Sequence, residues 1–287
     1  MNMATKRHQL ATQARLLAAL PINSSMRQKL EMCGTESPGY FWTCRQPACF
    51  HCRRRYVRRQ FNAARDRFAA CAKSDMAFVS VVLDGTSNVA QVGDIIKRAR
   101  ATTRNLFGKH RALRRRWHGA QLLGWFEVDA LCAEDAPLLG NERAALMADM
   151  GVTLAPARPT YIPTIHAVVA LNGLDWQEMR DALRQKWPHE HQVDVRPFYE
   201  HQPVEKSLYC TIRYALKRSC SSFLRGADAE WPESWLVEFE TWSQRWSRSF
   251  QSFRISIGKK RRPKVKVVFR SVVETEKIEL EPMPMLF

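Results

Sequence analysis

Cys33, Cys44, Cys49 and Cys52 constrain this chain more than any other feature, because they follow the spacing C-x10-C-x4-C-x2-C. A C-x2-C pair grips one side of a metal ion from a single turn, and the longer intervals bring the chain back to the other side. Four thiolates converging at about 2.3 Å make a tetrahedral zinc site. Gly34, Pro38, Gly39 and Pro47 break regular structure in the same stretch, as a metal-built loop requires. His51 lies inside the last pair and could replace one thiol, but four cysteines are already a complete set. The competing reading is four unligated buried thiols. The zinc reading is structural: the ion holds the fold and catalyses nothing.

Five arginines follow at once: Arg53, Arg54, Arg55, Arg58 and Arg59. Their forked guanidinium groups suit a phosphate backbone. Lysine and arginine number 45 against 28 acidic residues, a net charge of +17 over 287 residues. That excess favours DNA or RNA as a partner over an acidic small molecule, with an anionic membrane surface as the rival. No apolar run approaches the ~18–20 residues of a spanning helix, and residues 1–20 lack the apolar core of a secretory leader. The expectation is a cytoplasmic protein. Cys71, Cys132, Cys210 and Cys220 are then small core side chains.

The hydrophobic pattern predicts helices over 5–20, 53–73, 92–113, 176–187, 205–218 and 231–253. It predicts strands over 76–83, 122–131, 161–171 and 193–197. Residues 133–160 are the least patterned and read as a loop with a short helix. Residues 254–281 alternate like a hairpin or a basic tail. This order predicts an α+β fold with a central, mainly antiparallel sheet flanked by helices, not a doubly wound parallel sheet. The expected organisation is a basic helical segment (1–28), a zinc module with its arginine helix (29–73), a core domain (74–220) and an aromatic helix with a basic tail (221–287).

Some residues in these elements could carry chemistry. His166 sits inside an apolar strand, where an unpaired imidazole is costly, so it is either a satisfied core histidine or a ligand. Thr164 shares its face of the strand. Tyr214 is flanked by Arg213 and Lys217, which can favour a phenolate and hold a phosphate; on the residues alone the preferred reading is a half-buried helix residue in a basic face. Tyr209 is five positions earlier, so about 140° around the helix, and cannot share one site with Tyr214. His189 and His191 sit between a helix end and a strand and read as solvated cations. Trp235, Phe239, Trp242, Trp246, Phe250 and Phe253 share one helix face and read as core or dimer contact rather than a base-stacking stripe. Residues 259–266 form a cationic run with phosphate affinity.

The cysteine knot, the strands FVSVVL and GWFEVD, the Pro-x-x-His strand and the helix TIRYALKR occur in an order that resembles the rolling-circle replication initiators of small plasmids. It is also similar to their zinc-ribbon transposase relatives; both are HUH endonucleases. The resemblance covers roughly residues 30–220. It implies an HUH nuclease-like core that nicks single-stranded or hairpin origin DNA, works with host replication proteins and uses Mg²⁺ or Mn²⁺. It also implies His166 and Glu127 as ligands of that ion, Tyr214 as the nucleophile and Lys217 as a phosphate contact. Thr164 stands where the family's first histidine belongs, so the resemblance also admits a binding-only descendant, a DNA-binding regulator without nicking activity.

Overall fold

Apolar runs of period two become the strands of one sheet. The computed structural model describes residues 3–37, 40–199, 201–216, 221–224, 227–247 and 250–258. In chain order, α1 (Met3–Ala19) and α2 (Ser25–Met32) lead to a short hairpin, β1 (Glu36–Ser37) and β2 (Tyr40–Phe41), then α3 (Phe50–Phe68). There follow β3 (Met76–Val82), α4 (Val89–Leu113), β4 (Gln121–Leu131), α5 (Asn141–Asp149) and β5 (Thr160–Ala170). The remainder is α6 (Trp176–Arg184), β6 (Val193–Pro197), α7 (Val204–Ala215), β7 (Ser221–Leu224), β8 (Ala227–Glu230), α8 (Glu233–Trp246) and β9 (Arg254–Ile257).

The main sheet has the order β6-β3-β5-β4-β9, and every neighbouring pair is antiparallel. The α+β class and the antiparallel sheet flanked by helices agree with expectation. The fifth strand, β9, was not expected as part of the sheet. It comes from the start of the stretch read as a hairpin or tail and pairs with the outer edge of β4. The helix predicted over 231–253 stops at Trp246, and the chain resumes as a 3-10 turn at Phe250–Phe253. Residues 259–287, including the cationic run, lie outside the described residues.

Alternation splits the sheet into two unlike faces. Val79, Val81, Leu122, Phe126, Ile165, Val169, Val193 and Ile255 point one way and pack under α4, α6 and α8. On that side Gly93 of α4 lets α8 approach: an added Cβ would sit 2.2 Å from Trp246 Nε1. The aromatic stripe of α8 is core, with Trp235, Phe239 and Trp242 all buried. On the other face, α3 (Ala64, Phe68) and α7 (Leu208, Ile212, Ala215) cover Leu123, Trp125 and Val168. Further along the same face, α5 (Leu146, Met147) covers Leu131 and Ile162. Each fully buried large side chain contributes roughly 1.5–3 kcal/mol. Between these two apolar patches the face turns polar, with Ser80, Glu127, Asp129, Thr164 and His166.

Gly108 is mid-helix and exposed, with open space where a Cβ would lie. Such a glycine costs about 1 kcal/mol relative to alanine and gains nothing from internal packing. No described helix is long and apolar enough to cross a membrane.

Candidate functional site

The four knot cysteines converge. Their Sγ atoms all lie within 4.8 Å of one another, and Cys33, Cys44, Cys49 and Cys52 are buried. Sγ separations are 3.4 Å for Cys49–Cys33, 3.5 Å for Cys33–Cys52 and 3.7 Å for Cys44–Cys52. A tetrahedron with 2.3 Å bonds has edges of about 3.8 Å, so the set fits zinc with shifts of about 1 Å or less. Backbone N–H groups already point at the sulfurs: Arg45 N donates to Cys52 Sγ at 3.2 Å, and Cys44 N to Cys33 Sγ at 3.4 Å. Arg45 (φ 55°) and Gly34 (φ 96°) each follow a ligand in the left-handed region; the Gly34 amide donates to Trp42 O at 3.1 Å, closing the loop beside the site. Hydrogen bonds from Cys44 and Cys49 lower the pKa of the Cys52 thiol, so the cluster favours a thiolate. His51 is exposed and stands against Gly34, outside the cluster.

Cys49 also caps α3, accepting from Cys52 N at 3.5 Å. The arginine helix therefore starts at the metal site and ends at Phe68 in the core. Arg54, Arg55, Arg58 and Arg59 are exposed along it. Arg53 is 5% exposed, so it faces the interior and not a phosphate. Of the scattered cysteines, Cys132 is buried, Cys71 is intermediate and Cys210 is exposed on α7; Cys220 lies outside the described residues.

The second site lies in the polar gap of the sheet. His166 is 5% exposed, and its Nε2 lies 2.8 Å from Glu127 Oε2. Its Nδ1 lies 3.3 Å from Ser80 Oγ. A carboxylate only accepts, so in a neutral ring Nε2–H donates to Glu127 and Nδ1 accepts from Ser80. The register explains the meeting: Ser80, His166 and Trp125 stand in one cross-strand row, and Thr164 faces Glu127 in the next. Tyr214 packs edge-on against the imidazole, with ring centroids 5.0 Å apart, and is 48% exposed. Tyr209 points elsewhere, onto Phe61 of α3. Arg213 is partly buried beside Tyr214, and Lys217 lies outside the described residues.

Asp129, two residues beyond Glu127 on the same face, binds Arg143 of α5 through its Oδ2. Burial disfavours the Arg143 guanidinium, but Asp129, Tyr214 and Glu127 together hold its pKa above the ordinary value. His189 pairs instead with Asp149 at 3.0 Å.

Three members of this group escape a sequence reading. Ser80 and Asp129 carry a signal, since each is a polar residue on the same strand face as a suspected one. Arg143 carries none, because it comes from the least patterned stretch.

As a place for Mg²⁺ or Mn²⁺, the gap offers two donors. The 2.8 Å between His166 Nε2 and Glu127 Oε2 is near the ~3.0 Å edge of an octahedron with 2.1 Å bonds. Asp129 is engaged by Arg143, and Thr164 is a weak ligand. Water and a phosphate oxygen would complete such a shell, as hard cations commonly allow. Among the described residues, the four cysteines are the one cluster of three or more such ligands. No family model matches the chain, and no curated protein or solved structure matches it significantly.

Proposed function

We propose that this chain is an HUH-like DNA nicking-joining endonuclease that initiates rolling-circle replication. The observation that carries the reading is the meeting of Tyr214, His166 and Glu127 on one sheet face, beside an exposed cationic helix. In the reaction, Tyr214 Oη bonds to a DNA phosphorus as the P–O3′ bond breaks. The leaving 3′ oxygen takes up a proton, giving a 3′ hydroxyl for a polymerase. The phenolic proton goes to solvent, to which Tyr214 is open. The 5′ phosphate stays on the tyrosine and is rejoined by the reverse step. A bound Mg²⁺ or Mn²⁺ supplies Lewis acidity at the phosphate. His166 and Glu127 would hold it, with the His166 proton moving from Nε2 to Nδ1 and the Ser80 hydroxyl turning to accept it. The exposed α3 arginines, Arg54, Arg55, Arg58 and Arg59, bind phosphates and so position DNA without reading its sequence. The same chemistry would serve a transposase.

A second reading is a zinc-dependent DNA-binding protein without nicking activity. Thr164 and the Asp129–Arg143 pair favour it, because each leaves the ion short of a ligand.

Incubation with a single-stranded origin oligonucleotide and Mn²⁺ separates the two. Nicking gives a covalent protein–DNA adduct mapped to Tyr214. It is abolished in Tyr214→Phe, kept in Tyr209→Phe, and formed at lower Mn²⁺ in Thr164→His. DNA binding with no adduct selects the second reading, and an adduct on another residue removes Tyr214.

A further inference from the structure

The outward side of α4 is strongly cationic and has no role in the tyrosine site, from which the sheet separates it. Lys97, Arg98, Ala101, Arg104, Asn105, Gly108, Lys109 and Ala112 are all exposed there. At about 100° per residue, Lys97 and Arg104 fall within about 20° of each other. Arg98 and Lys109 form a second line, roughly 100–140° further round. Ala101, Gly108 and Ala112 lie between the two lines, with Asn105 beside the second line and Asp94, paired with Lys97, at the N-terminal end. The helix thus carries two lines of cations, together spanning about 18 Å of its axis, on either side of a floor made mostly of small residues.

These lines are under like-charge stress. Burial and the nearby Arg104 lower the pKa of Arg100, and burial with Arg114 and Lys109 lowers that of His110. Lys97 has Asp94 at 3.0 Å, but Arg98, Arg104, Lys109 and Arg115 form no ion pair among the described residues. Gly108 weakens the helix for no internal contact, which suits a surface that another molecule approaches closely. Among the described residues, the exposed large hydrophobic side chains are Leu10, Ile22, Met32, Leu113, Tyr199 and Tyr214, so α4 shows no aromatic to the solvent. Sites for single strands stack bases on aromatic rings, and this face cannot.

The geometry points to duplex DNA as the ligand of α4: the helix lies along the major groove, its small-residue floor towards the base edges and one line of cations on each phosphate backbone. The groove, about 12 Å wide, admits a helix of about 10–12 Å diameter. A-form RNA, with its deep and narrow major groove, does not. The protein then holds duplex on one side of its sheet and single strand on the other, as a hairpin-bearing origin presents them. This division of labour rests on the proposed function; duplex binding by α4 does not.

The test uses the full chain, a 20-base-pair DNA duplex, an oligo-dT single strand and fluorescence anisotropy. The combined variant Arg98→Gln/Arg104→Gln/Lys109→Gln should lose at least tenfold in duplex affinity at 100 mM salt. Its log–log salt slope should become shallower by about 2.7, and its single-strand affinity should stay within threefold. Gly108→Leu, which leaves the charge unchanged, should lose at least fivefold on duplex alone. Unchanged duplex binding in both variants overturns the proposal. So does equal loss on both probes, equal binding of duplex RNA, or a loss confined to phosphatidylserine vesicles. Adduct formation by Tyr214, scored on the same preparations, reports separately on nicking.

Discussion

Removing zinc from the cysteine knot should destabilise the whole chain, because α3 is shared between the knot and the core. The helix is capped by Cys49 at one end and packs Ala64 and Phe68 against Trp125 and Leu123 at the other. Three of the six Sγ separations already stand within a few tenths of an ångström of tetrahedral spacing and none exceeds 4.8 Å, so shifts of about 1 Å or less complete the site. With free zinc at about 1,000 times its Kd, linkage gives about 4.1 kcal/mol of stabilisation. For a chain of this size each kcal/mol moves Tm by about 2–4 °C, so chelation should lower Tm by about 8–16 °C. The measurement is a circular-dichroism melt at fixed protein concentration, before and after a high-affinity zinc chelator. Metal analysis of the same preparation should give one zinc per chain, and Cys49→Ser should melt like the chelated protein. An unchanged melt with no zinc found would refute the argument: the cysteines would then be four packed thiols.

Two further outcomes follow from single contacts. Glu178 accepts hydrogen bonds from Trp117 Nε1 at 2.9 Å and from Arg114 at 2.8 Å, and pairs with Arg116 at 3.1 Å. Burial alone would raise its pKa, but Trp117 and Arg114 outweigh this and lower it. Its stabilisation is therefore present above the unfolded pKa of about 4.3 and is lost as pH falls through the lower folded value. Glu178→Gln should cost about 1 kcal/mol at pH 7, with the gap shrinking as pH falls below the unfolded value, followed by urea unfolding across a pH series; a gap that does not change with pH would remove the charge from the explanation. Gly124→Ala would place a Cβ 2.6 Å from Ala167 Cβ and 3.0 Å from the His166 carbonyl, so it should destabilise by about 1–3 kcal/mol; a wild-type Cm would show that β4 and β5 part easily.

Much of this arrangement is legible in the residues. The four longest strands announce themselves by alternation, and 193–197 matches β6 to its ends. The knot is legible because metal geometry ties spacing to structure. The face shared by Glu127, Thr164 and His166 is harder to read, because it depends on register between strands some 40 residues apart, which alternation within one strand does not encode. Arg143 is invisible for a related reason: only the docking of α5 brings it to Asp129. Arg53 misleads because it belongs to an arginine run, yet its place in the first turn of α3 turns it inward. The place of β9 is missed because alternation over 254–281 suits a hairpin as well as a tail and does not name β4 as its neighbour.

The pairing of β9 with β4 bears on how the chain is made. Leu122 meets Ile257, 135 residues later. At a translation speed of about 5–20 residues per second, that interval lasts about 7–27 s. Throughout it, the N–H and C=O groups along one side of β4 have no strand to bind, and such an open margin templates pairing with other chains. β5 can already hold the opposite side of β4, so the nascent sheet is formed but unsealed. A chain cut before Arg254 would keep that margin open permanently, and self-association along β4 is the expected fate of such a truncation.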